Sequence, residues 1–198
     1  ALAERLMAGA TGGAGEVRIA ITAPDAPRLQ SAREAAARSL GSGAVPSGEG
    51  VHFGEGPCEG ELAFVFTGSA AAYPRMGRGL LTGFPALARR VGERFPDALK
   101  LAPLLASQTL GPYEQLCAVT LVSQAQTLLL REILGLEPQA VLGLSLGETN
   151  ALIAFGFWDE PGKMLDEFAA AETYERHIGG AFETAQLAWG EPGPVEWT

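Results

Sequence analysis

The stretch Ala140-Val141-Leu142-Gly143-Leu144-Ser145-Leu146-Gly147 decides the fold of this chain. Its first residues form a continuous apolar run, which is typical of a strand buried on both faces of a parallel sheet. A helical segment follows, from Leu146 to about Gly156. Between strand and helix lies a G-x-S-x-G pattern, whose glycines allow a sharp turn without side-chain clashes. The stretch therefore predicts a nucleophile elbow that presents Ser145.

Such an elbow also supplies part of an oxyanion site. The helix that begins after Ser145 directs its free N–H groups and its dipole toward the reacting centre. The backbone N–H of Leu146 is the natural donor. A serine also needs a base, and the chain contains only His52 and His177. His52 is expected to be structural or exposed, and His177 is the possible base.

A second apolar run, Leu62-Ala63-Phe64-Val65-Phe66, predicts another buried strand. Helical patterns follow around residues 80 to 94. A longer helix is predicted from about Tyr113 to Leu134, apolar nearly all round and therefore buried. Strands that alternate with helices predict an α/β fold, with a parallel sheet and flanking helices as in the α/β-hydrolases.

The N-terminal residues form a separate segment. The first 14 residues are small and Gly-rich, as in a linker. Residues 17–21 alternate as a strand, and Asp25 begins a helix that runs to Leu40. We therefore expect residues 1–60 to form a small α/β unit of their own and residues 61–198 to form a second, larger unit.

Composition narrows the function classes. Apolar residues make up 47% of the 198, enough for a sizeable core, and the formal net charge of −9 argues against nucleic-acid binding. No segment is predicted to span a membrane, and no metal site is expected. The two cysteines, Cys58 and Cys117, fit a reducing cytoplasmic location, although a single bridge between them stays open.

Two ordered motifs resemble a known family. Residues 67–77, TGSAAAYPRMG, resemble the family stretch PGQGSQYPGMG, and residues 143–148, GLSLGE, resemble GHSxGE. Together they resemble the acyltransferase domains of polyketide and fatty acid synthases, most closely the polyunsaturated fatty acid synthase type. Residues 50–54 resemble the GVFYG end of the linker that follows a ketosynthase. Gln115 matches the glutamine of the family's QPAL helix.

The resemblance implies an acyl-transfer activity without a tightly bound cofactor. Ser145 would take an acyl group from acyl-coenzyme A and pass it to the phosphopantetheine thiol of an acyl-carrier protein. The backbone N–H groups of Leu146 and Ser69 would bind the oxyanion. The same resemblance implies substrate-binding positions, and it implies the neighbouring ketosynthase and the rest of the synthase as partners. The substrate-binding positions are Gly68, Gln115 and Leu144.

Three departures from the family pattern bear on activity. Leu144 stands where the family has histidine, which makes the surroundings of the serine more apolar. The family's carboxylate-binding arginine falls near Ala170, and the nearest arginine is Arg176. The family's catalytic histidine lies in a small ferredoxin-like subdomain, for which the residues after Ser145 are too few. We therefore expect the isolated chain to be weakly active or inactive.

Two other function classes stay open at this point. An esterase or thioesterase of the α/β-hydrolase type would use the order serine, acid, histidine, which Ser145, Asp166 and His177 obey. A non-catalytic scaffold domain would keep the glycine-flanked serine only as a turn.

Overall fold

The computed structural model describes residues 17–56, 60–177, 179, 181–190 and 193. The chain forms two compact units, Ala1–Gly60 and Glu61–Thr198. The predicted Gly-rich linker at residues 1–14 lies outside the described residues, as does Cys58. Among the described helices, none combines the length and the apolar character that crossing a bilayer requires.

The first unit is a two-stranded antiparallel sheet with one helix. Strand β1, Val17–Ile21, pairs antiparallel with β2, Val51–Glu55. Helix α1, Ala26–Gly41, lies between them and is capped by Asp25, whose Oδ1 accepts from the N–H of Arg28 at 2.8 Å. The predicted strand and helix are confirmed.

The second unit contains the parallel sheet that the sequence predicts. Strand β3, Ala63–Phe66, pairs with β4, Ala140–Gly143, in the register Phe66↔Gly143. The side chains of Phe64 and Phe66 are buried, and both rings contact Phe155 edge-on at centroid distances of 6.2 and 6.5 Å. This contact fixes which face of the sheet points into the core.

The prediction that both strands are buried on both faces is wrong for the described residues. Val65 is 69% exposed and Leu142 is 59% exposed, and all four residues of β4 are exposed. The helix that follows β4 packs on the face that carries Phe64 and Phe66. The sequence run identifies a strand correctly, but the number of layers that cover the strand depends on tertiary packing.

Seven α-helices and four 3-10 or π segments are described. Helix α4, Pro112–Leu128, is the central element, because buried side chains lie all round it. It matches the predicted buried helix, although its last turn widens into a π-turn. Helix α7, Glu183–Trp189, was not predicted. The helices are α1, α2 (Arg78–Gly83), α3 (Pro85–Arg94), α4 (Pro112–Leu128), α5 (Leu146–Ala154), α6 (Pro161–Ala170) and α7 (Glu183–Trp189). The turns are 3-10 at Ser69–Ala71 and Pro96–Ala106, and π at Leu129–Ile133 and Thr173–His177.

Two apolar clusters meet on opposite parts of α4. One contains Leu116 and Val119 of α4 together with Leu146 at the start of α5. The other contains Leu121 and Ala125 of α4 with helices α2 and α3. The first cluster supports the elbow, because Leu146 is the residue that follows Ser145.

Candidate active site

Ser145 occupies a sharp turn between β4 and α5. Its φ is 53° and its ψ is −119°, a backbone conformation that residues with a side chain adopt only under strain. Its backbone carbonyl accepts from the N–H of Glu148 at 2.9 Å, and that of Leu144 accepts from Gly147 at 2.8 Å. These bonds close the turn directly into the helix. The residue is exposed, so the turn presents its hydroxyl to solvent.

The two glycines around Ser145 are required by backbone packing. A Cβ at Gly147 would lie 2.1 Å from the carbonyl oxygen of Phe66 in β3. A Cβ at Gly143 would lie 2.5 Å from the backbone of Glu148. Neither neighbour is a flexible side chain that could rotate away. The geometry expected of a nucleophile elbow is therefore present.

The loop after β3 lies against this elbow. A Cβ at Gly68 would come within 3.3 Å of the Leu144 carbonyl oxygen and 3.6 Å of the Ser145 Cβ. The N–H of Leu144 also donates to the carbonyl of Phe66 at 3.1 Å. Ser69 follows Gly68 and begins the 3-10 turn Ser69–Ala71. The structure thus brings Gly68, Leu144 and Ser145 together, with the backbone of Ser69 directly adjoining.

Helix α5 orders the amides next to the serine. Leu146 is its first residue, so the Leu146 N–H lies in the first turn, where a helix has no internal acceptor. The side chain of Leu146 is 6% exposed and packs with Leu116 and Met164. The buried side chain anchors the start of the helix. The Leu146 amide and the positive end of the helix dipole favour negative charge at this point.

Gln115 lies in the first turns of α4 and is half-buried. Its side-chain Nε2 donates to the carbonyl of Leu110 at 3.1 Å. The adjacent Gly111 N–H donates to the Glu114 carboxylate at 2.8 Å. In this structure Gln115 therefore orders the entry to α4, while the next residue, Leu116, packs beneath the elbow helix.

His177 ends the π-turn Thr173–His177, which packs against α4, α6 and α7. In the preceding residues, the Glu175 carboxylate accepts from the Tyr113 N–H at 3.1 Å. Hydrogen bonds from Arg176, assisted by the nearby charge of His177, lower the pKa of Glu183 below its usual value. The π-turn that ends at His177 thus packs on α4, α6 and α7, and among the described residues no hydrogen bond joins His177 to Ser145.

Sequence reasoning missed a buried polar group beneath the elbow helix. Asn150 of α5 is completely buried, and its backbone carbonyl accepts from Gln124 Nε2 of α4 at 3.0 Å. Its side-chain amide finds no hydrogen-bond partner within the described residues. The signal was present on α4, where Thr120 and Gln124 lie one turn apart on an otherwise apolar helix.

Comparisons with known proteins find similarity to two synthases. No family model matches the chain. A low-reducing polyketide synthase of Aspergillus calidoustus is 32% identical over 131 residues, 60% of this chain and 6% of that protein. The 5-methyl-1-naphthoate synthase of Streptomyces sahachiroi is 33% identical over 147 residues, 72% of this chain and 8% of that protein. The chain thus spans less than a tenth of the curated relatives it matches.

A solved structure extends the similarity to the fold. The acyltransferase domain from the second module of the salinomycin polyketide synthase matches with a TM-score of 0.58 and 26% identity. The match covers 78% of this chain and 40% of that one. The α/β class with a parallel sheet is thereby confirmed. The chain is thus similar, in sequence and in fold, to an acyltransferase domain of a polyketide synthase.

Proposed function

We propose that Ser145 carries an acyl group between acyl-coenzyme A and the phosphopantetheine thiol of an acyl-carrier protein. The observation that carries the proposal is the strained, exposed Ser145 between two glycines that backbone packing requires. Similarity to polyketide synthase acyltransferase domains supports an acyltransferase, within a multidomain synthase. The particular donor, acceptor and acyl-serine are part of the proposal.

The proposed reaction has two balanced steps. The Ser145 Oγ attacks the thioester carbonyl, the C–S bond breaks, and coenzyme A leaves as a thiol with the serine proton. The carrier thiol then attacks the serine ester, the C–O bond breaks, and Ser145 recovers its proton. Each step passes through an oxyanion.

The proposed oxyanion donors are backbone amides from two separate segments, Leu146 at the start of α5 and Ser69 after β3. The contact of Gly68 with Leu144 and Ser145 supports this pairing, because it holds the β3 loop against the elbow. A backbone donor does not depend on the side chain that carries it. The serine at position 69 is therefore compatible with an intact oxyanion site.

We further propose that the 198-residue chain alone reacts slowly. A serine without a positioned base loses a factor of about 10²–10⁴ in rate. His177 is the candidate base, and it lies at the end of a π-turn that packs on α4, α6 and α7. The Ser145–His177 pair therefore stays a prediction, tested by His177→Ala.

Mass spectrometry of the intact chain tests the proposal. We expect incubation with acyl-coenzyme A to add one acyl group, located on Ser145 by peptide mapping. Ser145→Ala should abolish the adduct. Ser69→Ala is the matched control, because it removes the other serine of the site but keeps the backbone amide, so it should retain the adduct.

Three results would contradict parts of this proposal. Rapid release of free acid would favour an esterase or thioesterase. An absence of labelling by both acyl-coenzyme A and a fluorophosphonate would favour a scaffold domain. Fast turnover that His177→Ala abolishes would show that the chain contains its own base.

For the first unit, we propose a linker role beside a ketosynthase. Residues 50–54 support this through their resemblance to the GVFYG segment, and β2 includes most of them. Deleting residues 1–60 should leave acylation of Ser145 unchanged if this unit serves only to connect domains. A loss of acylation by a variant whose circular dichroism shows a folded second unit would contradict the linker role.

A further inference from the structure

We infer that, if Ser145 transfers acyl groups as proposed above, it accepts uncharged alkanoyl groups and discriminates against acyl groups that carry a second carboxylate. Malonyl-coenzyme A is the simplest donor of the disfavoured kind. Three features of the described structure support this selectivity: the charge of the site segments, the partners of Arg176, and the side chain of Leu144.

The two segments that form the site contain no positive side chain. Residues 60–74, which include β3 and its loop, contain no Lys, Arg or His, and neither do residues 132–162, which include the elbow. Glu148 lies in the first turn after Ser145, and its N–H donates to the Ser145 carbonyl at 2.9 Å. These segments therefore offer a substrate carboxylate an acidic residue close in sequence to Ser145 and no cationic partner.

The one arginine that follows Ser145 in the chain is already engaged. The Arg176 Nε and Nη2 atoms donate to the two carboxylate oxygens of Glu183 at 2.8 and 3.0 Å. Its Nη1 donates to Glu172 at 2.7 Å. These hydrogen bonds raise the pKa of Arg176 above its usual value. A paired donor face is what a guanidinium uses to bind a carboxylate, and Glu183 occupies it.

The side chain beside the nucleophile is apolar. Leu144 is 73% exposed although it directly precedes Ser145. Gly68, on the β3 loop opposite, contributes no side chain to the same contact. An alkyl chain on the serine ester can cover the exposed surface of Leu144, and removing apolar surface from water is favourable. A carboxylate at the same place would lose hydration without gaining a partner.

Initial rates of adduct formation on the 198-residue chain test the inference. Acetyl-, hexanoyl- and malonyl-coenzyme A are supplied singly and in competition, and the Ser145 adduct is quantified by mass spectrometry. We expect both alkanoyl donors to react about tenfold faster than malonyl, because a carboxylate that loses hydration beside Leu144 gains no partner there. Malonyl rates equal to or above the alkanoyl rates would overturn the inference while leaving acyl transfer intact. If no thioester labels Ser145, the proposed transfer is wrong and this inference with it.

A matched pair of variants tests the cause. Leu144→Arg should raise the malonyl rate relative to the hexanoyl rate by about tenfold, because a guanidinium beside Ser145 can pair with the substrate carboxylate. Leu142→Arg is the control, since Leu142 is also exposed but lies within β4, two residues before Leu144. Equal effects of the two variants, or none from Leu144→Arg, would contradict the inference. If Leu144→Arg does not fold, Glu148→Gln should also raise the relative malonyl rate, and an unchanged ratio would overturn the electrostatic argument.

Discussion

The two segments that meet at Ser145 differ in how tightly their backbones are packed. In the elbow, residues 143–148, an added Cβ at Gly147 or Gly143 would lie 2.1 or 2.5 Å from backbone atoms. In the β3 loop, residues 67–72, an added Cβ at Gly68 would lie 3.3 Å from its nearest neighbour, which a shift of a few tenths of an ångström would relieve. The elbow therefore requires glycine at both positions, whereas the loop can accommodate a small side chain at position 68.

This difference in packing indicates which parts of the site can vary in sequence without loss of its chemistry. The elbow must retain its glycines, because the position of Ser145 depends on β4 and α5 approaching β3 closely. The loop contributes a backbone amide at Ser69, which any residue except proline supplies. We therefore expect the strongest effects from the elbow backbone and from the loop amide, and weak effects from loop side chains.

The largest expected effect is that of Gly147→Ala. The added methyl group clashes with the Phe66 carbonyl, and separating β3 from α5 should cost about 3 kcal/mol or more in the free energy of unfolding. Urea denaturation measures the loss. Gly79→Ala in α2 is the matched control, because nothing lies within 4 Å of its added Cβ, and it should be neutral or stabilising. Equal stabilities for the two variants would contradict the tight backbone packing of the elbow.

The next effect concerns the loop amide. Ser69→Pro should lower the acylation rate of Ser145 by about 10²–10³, the usual loss for one oxyanion donor. Proline fits this position, because Gly68 has φ −75° and ψ 174°, a conformation that a residue before proline prefers. Ser69→Ala, which retains the N–H, should stay within about threefold of the original rate, since the oxyanion donor is unchanged.

Thermal unfolding separates chemistry from folding in this pair. Ser69→Pro should melt within a few degrees of the original chain. If Ser69→Ala lowers the rate as much as Ser69→Pro, the side chain and not the amide acts, and the loop is as sequence-restricted as the elbow.

Much of this architecture could be predicted from the sequence, for local reasons. The glycines around Ser145, the cap at Asp25 and the apolar periodicity of α4 each report a local requirement, and the structure contains the corresponding elbow and helices. The partly exposed sheet could not be predicted, because a run such as Ala63–Phe66 specifies a strand and not the layers above it.

Polar contacts between elements also escaped the sequence. The pairing of Arg176 with Glu183 depends on how α7 returns to the π-turn, and α7 itself was not predicted. The complete burial of Asn150 depends on how closely α5 packs against α4. In each case the decisive distance joins elements whose relative placement follows from the whole fold.

A third prediction concerns the core beneath the elbow, where Cys117 lies in the same buried cluster as Leu146. Burial raises the pKa of the Cys117 thiol to about 11, and burial also raises the pKa of the neighbouring Tyr113. The folded protein therefore keeps both groups neutral at pH values at which the same groups would ionise in the unfolded chain. Stability is therefore fully present below the unfolded pKa of Cys117, near 9, and falls by about 2 kcal/mol as pH rises to about 11.

Denaturation at pH 8, 9, 10 and 11 measures this slope. Cys117→Ala should be less stable at pH 8, because it leaves a small cavity, but its stability should fall less steeply above pH 9. An identical slope in both proteins would show that ionisation of Cys117 does not limit the core that supports the elbow.

The smallest expected effect is that of a substitution in the connection that follows β3. Arg75, farther along the β3 connection, has φ 61° and is exposed, so it holds a left-handed conformation without the close packing that forces Ser145 into one. Arg75→Gly should raise the free energy of unfolding by about 0.5–1 kcal/mol, because glycine adopts positive φ without a Cβ clash. Its side chain adjoins Gln108 at the surface, a contact whose loss costs little.

Arg78→Gly, at the start of α2, is the control and should lower stability by a similar amount, since glycine weakens a helix. Destabilisation by Arg75→Gly would show instead that the connection, like the elbow, is held in its strained conformation by contacts of this particular side chain.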